Sequence, residues 1–249
     1  MSSAWFPRLL AANRTPKATL APLLAVAVVA CSATGATGQV GSVFVDSRSN
    51  IFGYGVGTPQ PGGFGGGVIA LTLNLTPGAS RVITFSNSGS AWWQGPSGSN
   101  GPDGGNFRNS TDIPAVGPIS GFAAPRTGHL VGLFLDGNDP TGQLAPLNFS
   151  YPNAAALTLN SYAPLLRQVF FIGDGLTGTG SGDTQVFFVP DSATRLVLGI
   201  ADAPGFFGPA GAYNDNVGGY NVSYSAIPTP SAAALLGLGG MLAARRRRR

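Results

Sequence analysis

The chain has 249 residues, enough for one sizeable core, with a formal net charge of +4, one histidine and one cysteine. A single histidine and a single cysteine exclude the usual zinc ligand sets and most histidine-based acid–base or nucleophilic chemistry. The positive charge belongs to the ends. Arg8, Arg14 and Lys17 precede residue 31 and five arginines fill residues 245–249, whereas the body between sets six arginines against ten aspartates and no glutamate. The body is therefore acidic, about −4, and lacks the basic surface that a nucleic-acid partner requires.

In chain order, the basic residues up to Lys17 lead into an apolar run over residues 18–30, then into small residues from Cys31 to Gly38. That is the pattern of a secretory signal peptide over residues 1–38, with cleavage open to Ala33, Gly35 or Gly38. Val28-Val29-Ala30-Cys31 also fits a lipobox, so lipidation of Cys31 stays open. Cleavage after Cys31 leaves a mature chain without disulfides.

Residues 39–226 read as one domain. Residues 46–67 are Gly-rich and predict a surface loop. Strands are predicted over residues 68–75, 81–86, 129–135, 169–172, 185–189, 195–200 and 219–224. Each is short, β-branched or aromatic, and bounded by Gly, Pro, Asn or Asp, which is the pattern of an all-β antiparallel sandwich. Residues 154–166 predict at most a helical turn. Residues 86–111 read as a Gly/Ser/Asn-rich loop around Trp92 and Trp93. Of two adjacent residues on extended chain, one faces inward, so one tryptophan of the pair is expected to be buried. An exposed indole there can stack on a sugar face, and Arg108 can bond hydroxyls or carboxylates of an acidic polysaccharide.

Other groups are less informative. His129, at a strand start, is expected to be structural. Asp136, Asn138 and Asp139 predict turn chemistry, with a second Ca²⁺ site as the alternative. The Gly-rich stretch between Asp174 and Asp183 lacks the lysine of a phosphate loop. No Ser/His/Asp order and no defined carboxylate pair marks an enzyme.

The richest segment follows the strand ending at Ile200. Asp202-Ala203-Pro204-Gly205 opens an excursion that returns through Asn214, Asp215 and Asn216. Two carboxylates and two amides at the ends of one loop can supply about half of the six to eight oxygens that Ca²⁺ takes. The order of strand, Asp-x-Pro-Gly, loop, Asn/Asp-Asn and Gly before a last strand is similar to the bacterial calcium-dependent galactophilic lectins, over about residues 80–225. The resemblance implies a jelly-roll, galactose-binding-like sandwich. It implies Ca²⁺ held by Asp202, Asp215 and Asn216, with Asn214 beside them and a main-chain carbonyl at Gln94 or Trp93 in the Gln94-Gly95-Pro96 stretch. Asp103, in Gly101-Pro102-Asp103-Gly104, falls in order as a ligand-contacting position with Trp92, Trp93 and Arg108. The loop is longer than the family's, and Asn106, Phe107 and Arg108 stand where the family has sugar-contacting His and Gln. Calcium therefore carries over better than galactose.

The chain closes with Ile227-Pro228-Thr229-Pro230-Ser231, an apolar run over residues 232–244, and the arginines including Arg245 and Arg246. This resembles the PEP-CTERM sorting signal of exopolysaccharide-producing bacteria, with Pro228-Thr229-Pro230-Ser231 in the motif's place. Thirteen apolar residues make about 20 Å of helix, short of the roughly 30 Å hydrocarbon core. The arginines hold their end on the cytoplasmic side. Both terminal segments are expected as helices, cleaved or membrane-inserted, with residues 227–249 as the sorting signal. The expected protein is exported to the cell surface, outer envelope or extracellular matrix through the sorting machinery. It is non-catalytic and contacts carbohydrate such as exopolysaccharide. A purely structural calcium-stabilised matrix protein and, behind it, a secreted glycan-active enzyme are the alternatives.

Overall fold

The computed structural model describes residues 38–55, 66–78, 81–93 and 99–228, all within the compact unit Ala36–Arg249. Among them are fifteen strands, short 3-10 turns and no α-helix. In chain order the strands are β1 (Gln39–Asp46), β2 (Ser49–Asn50), β3 (Val68–Ile69), β4 (Leu71–Asn74), β5 (Arg81–Trp93), β6 (Thr111–Ile113), β7 (Phe122–Ala124) and β8 (Leu130–Leu135). Then come β9 (Ser161–Tyr162), β10 (Val169–Phe171), β11 (Leu176–Gly178), β12 (Ser181–Thr184), β13 (Val186–Val189), β14 (Arg195–Ile200) and β15 (Asn216–Pro228). The all-β class is as expected.

A five-stranded sheet runs in the order β1-β15-β5-β13-β9, and a six-stranded sheet in the order β10-β8-β14-β2-β3 with β4 also paired to β14. Two small hairpins, β6–β7 and β11–β12, stand apart. The antiparallel β5–β15 pair is unbroken from Asn216 opposite Trp93 to Pro228 opposite Arg81. In β5 the residues Ile83, Phe85, Ala91 and Trp93 are buried while Ser86, Ser88 and Ser90 face out, the period-2 alternation of a half-buried strand. By contrast, every residue of β8 is buried, because β8 lies between β10 and β14 inside the other sheet.

Aromatic residues join the two sheets. Phe187 of β13 stacks on Tyr162 at 5.3 Å, meets Phe85 edge-on at 5.2 Å and reaches Phe170 of β10 at 5.6 Å. Phe170 in turn stacks on Phe134 of β8 at 4.9 Å. Full burial of a side chain this size stabilises by about 1.5–3 kcal/mol. Arg81, at the start of β5, is buried with its guanidinium donating to the carbonyls of Thr76, Gly78, Pro190, Asp191 and Ala193. It ties three chain segments together.

Several expectations need correction. Residues 86–93 continue β5 rather than forming a loop. Their Ser, Asn and Gly have low strand propensity, but pairing with β15 along the whole length satisfies the ladder and overrides it. The predicted strand at 68–75 breaks at Ala70 into β3 and β4. The last strand starts at Asn216, three residues early, and runs to Pro228, which was expected in the sorting segment. Of residues 154–166 only Ala154–Leu157 is a helical turn, capped by the Asn153 side chain accepting from the Ala156 N–H. The expected surface loop contains β2 and a 3-10 turn at Ile51–Gly55. The strand β1 was not anticipated. The expected terminal helices fall outside the described residues, as do Gln94, Thr229, Pro230, Ser231, Arg245 and Arg246.

Candidate functional site: an aromatic-walled cleft over a buried aspartate

The strand β14 ends at Ile200 and carries Asp202 into the interior, where it is only 2% exposed. Its carboxylate accepts from the Ala203 N–H at 2.8 Å and from the Asn216 amide nitrogen at 2.8 Å. The same Asn216 nitrogen donates to the Ser47 carbonyl at 2.9 Å. Asn216, at the first position of β15, is itself buried, and its Oδ1 has no hydrogen-bond partner. The loop's two ends are thus tied through one carboxylate–amide contact. A second tie runs through Tyr213. Its hydroxyl donates to the Ile200 carbonyl at 3.0 Å and accepts from the Asp202 N–H at 3.3 Å. A third joins the Gly211 N–H to the Asp202 carbonyl at 2.9 Å.

Between these ties the loop turns sharply. Phe206 and Ala212 hold φ of 67° each, a left-handed conformation that costs a non-glycine residue about 1–3 kcal/mol. For Phe206 the strain is offset by burial: its ring meets Trp93 edge-on at 5.2 Å and Phe107 at 6.3 Å. The result is a cleft of about 220 Å³ whose walls include Trp93, Phe107 and Phe206, with Asp202, Ala212 and Asp215 also lining it. Trp93 is held from behind at Gly128. There φ is 69°, and a Cβ would fall inside the indole.

Burial pushes the Asp202 carboxyl up to about 7, and the negative Asp215 adds to the rise against the Asn216 and Ala203 donors. No cationic side chain among the described residues forms an ion pair with it. Also among the described residues, no three His, Cys, Asp or Glu side chains converge as a metal cluster. The cleft is lined instead by hard oxygen donors, the Asp202 and Asp215 carboxylates, and the buried, unpartnered Asn216 Oδ1 belongs to the amide that bonds Asp202. That donor chemistry fits Ca²⁺, which accepts amide and main-chain oxygen as readily as carboxylate.

The other named residues are distributed as follows. Asn214 points its Oδ1 to the Gly67 N–H at 3.2 Å, a contact that fastens the loop to its neighbour. Trp93 is the buried member of the tryptophan pair. Trp92 is half-buried on the other face of β5, opposite Val217. Arg108 lies over the Phe107 ring at 5.1 Å, next to the cleft wall and apart from Trp92. Asp103 sits elsewhere. It lines a smaller pocket with Arg126, Thr177 and Thr179, and its Oδ1 accepts from the Asp174 N–H at 2.8 Å. Burial raises its carboxyl above the usual range. Asp174 spends its own oxygens on the N–H groups of Leu176 and Gly180, so this second cluster is loop architecture. His129 is buried edge-on between Phe122 and Phe171, at 5.5 Å from each ring, and burial pushes it down to about 3. Asp136 and Asp139 accept from Asn138 and Thr141 in turns, as expected.

Three parts of the site had no signal in the sequence. The Ser47 carbonyl comes from a segment read as loop. Tyr213 and Phe206 lie in the right loop, but nothing local marks one as a strap and the other as a wall. No protein-family model matches the chain, and neither does a curated protein or a solved structure.

Proposed function

We propose that the chain is an exported surface or matrix protein whose cleft over Asp202 takes a Ca²⁺ and, through it, contacts carbohydrate without catalysis. The observation that carries this reading is the buried Asp202–Asn216 pair, its amide oxygen left unpartnered, behind an aromatic-walled cleft that Asp202 and Asp215 line. A buried polar atom without a partner costs about 1–3 kcal/mol, and a cation accepting that oxygen removes the cost. The same cation neutralises a carboxylate that burial otherwise drives towards protonation. Asp202, Asn216 and Asp215 would hold the ion. Phe107 and Trp93 present apolar surface to a sugar ring, and Arg108 beside them can meet hydroxyls or an acidic substituent. In the same reading the two main sheets are the layers of a jelly-roll, galactose-binding-like sandwich. The signal-peptide pattern and the Pro-rich, apolar, Arg-terminated tail support export and sorting to the envelope or matrix.

A calcium that only pins the loop is the second reading. It is favoured by the Tyr213, Gly211 and Asn214 contacts, which already bind the loop at several points. Thermal melts with Ca²⁺ and with chelator, for wild type and Asp202→Ala, test both. A ligand of the folded state adds about 2.7 kcal/mol at 100 times its dissociation constant. A calcium-dependent rise lost in Asp202→Ala supports the site, and retention on immobilised polysaccharide then separates glycan contact from loop pinning. Superimposable melts in Ca²⁺ and chelator rule out the metal.

A further inference from the structure

Among the described residues the outer strands of the two main sheets are not alike. β9, β3, β10 and β4 are two to four residues long. Short edges of that kind blunt edge-to-edge pairing. The exception is β1, which has eight residues, pairs with β15 without a bulge from Gln39 opposite Ala226 to Asp46 opposite Gly219, and has no described strand on its other side. Its sequence, Gln39-Val40-Gly41-Ser42-Val43-Phe44-Val45-Asp46, carries no proline, no lysine and no charge before its last residue. None of the usual guards is present. Two of its three outward side chains are apolar as well, with Val40 74% and Phe44 57% exposed on either side of Ser42.

We infer that β1 is the interface between two copies of this chain, paired antiparallel about a twofold axis at Ser42. The strand is self-complementary in that register. A twofold at Ser42 sets Val40 opposite Phe44 of the second copy and Phe44 opposite its Val40. The two exposed apolar residues of one strand therefore cover those of the other, as an aromatic–β-branched cross-strand pair. Ser42 meets Ser42. The only charged residue, Asp46, falls opposite Gly38, so no like charges face each other, and its carboxylate is already held by Arg48 at 2.7 Å. The pairing satisfies the free edge of β1 and joins two five-stranded sheets into one of ten. It is isologous, so it closes at two copies. The inference rests on the sheet edge alone and is independent of the cleft.

Sedimentation of the purified full chain in detergent, for wild type and the double variant Val40→Lys/Phe44→Lys, tests it. Both positions are exposed, so the fold tolerates lysine, while the register sets lysine opposite lysine across the axis. The expected result is a wild-type dimer and a folded monomeric variant whose melting temperature, unlike that of wild type, does not depend on protein concentration. A wild-type monomer overturns the inference, including one whose β1 is covered by another part of its own chain. A dimer that the lysines leave intact overturns it too, since another surface must then hold it. A second variant reads the register even if the lysines impair folding. In a Cys31→Ser background, Ser42→Cys is expected to form an intermolecular disulfide, because residues directly opposite lie about 4.5–5.5 Å apart. Val40→Cys in the same background sits about 13 Å from its copy and is expected to stay reduced. Equal crosslinking of both, or of neither, rejects the twofold at Ser42.

Discussion

Two buried titratable groups, one in the cleft and one in the aromatic core, push the stability of the metal-free protein in opposite directions with pH. The Asp202 carboxyl is raised from 3.8 to about 7. The folded chain then binds a proton that the unfolded chain has released. Its contribution is fully present below pH 3.8 and is lost as pH rises through about 7. His129 is depressed from 6.5 to about 3. There the unfolded chain takes the proton and the folded chain does not, so stability is lost as pH falls from 6.5 towards 3. Over the shared window, about pH 4 to 6.5, each group changes stability by about 3 kcal/mol at about 1.36 kcal/mol per pH unit. The signs oppose and the two nearly cancel.

In chelator, wild type should therefore show little net slope from this pair. Asp202→Asn leaves His129 unopposed, and its stability should rise by about 3 kcal/mol from pH 4 to 6.5 relative to wild type. His129→Leu leaves Asp202 unopposed and should fall by a similar amount. At about 2–4 °C per kcal/mol for a domain of this size, each difference is about 10 °C in Tm. The remaining carboxylates are common to all three proteins and drop out of the differences. Differential scanning calorimetry across that window reads the result. Asp202→Asn and wild-type curves that run parallel would show that the Asp202 carboxyl is not held in a desolvated site.

If Ca²⁺ binds at Asp202 as proposed, calcium and protons compete for the same carboxylate, so the Tm gain on adding Ca²⁺ should be larger at pH 8 than at pH 5; an equal gain at both would place the ion elsewhere. Phe187→Ala removes the ring that joins Phe85, Tyr162 and Phe170, and should cost about 3–5 kcal/mol in denaturant unfolding. Gly128→Ala sets a methyl inside the Trp93 indole at a positive φ; a destabilisation of at least about 2 kcal/mol is expected, with a shift of tryptophan emission, and a neutral outcome would mean that Trp93 does not pack there. Arg81→Lys cannot reach the five carbonyls that the guanidinium fork serves, and should cost about 3 kcal/mol.

By itself the sequence determined the strand class and much of the strand inventory. In β8, β13 and β14, apolar β-branched and aromatic runs end at Gly, Pro or Asp, and that pattern is local. It also placed Asp202 and Asn216 at the two ends of one loop, because a strand must deliver the first and receive the second. Tertiary structure decided the rest. The Ser-rich half of β5 has no strand signal of its own and is extended because β15 pairs with all of it. The strand β1 joins a partner some 180 residues away in the chain, at β15, and no local pattern encodes that partner. That the Asn216 amide spends its nitrogen on both Asp202 and Ser47 depends on Ser47 arriving from a third segment. Likewise, Trp93 rather than Trp92 faces the cleft because pairing with β15 sets which side of β5 is buried. Asp103 left the expected ligand set for the same kind of reason: its carboxylate is spent on the Asp174 backbone, brought to it from 71 residues away. Local side-chain chemistry selects elements, but convergence at a site is a long-range property of the fold.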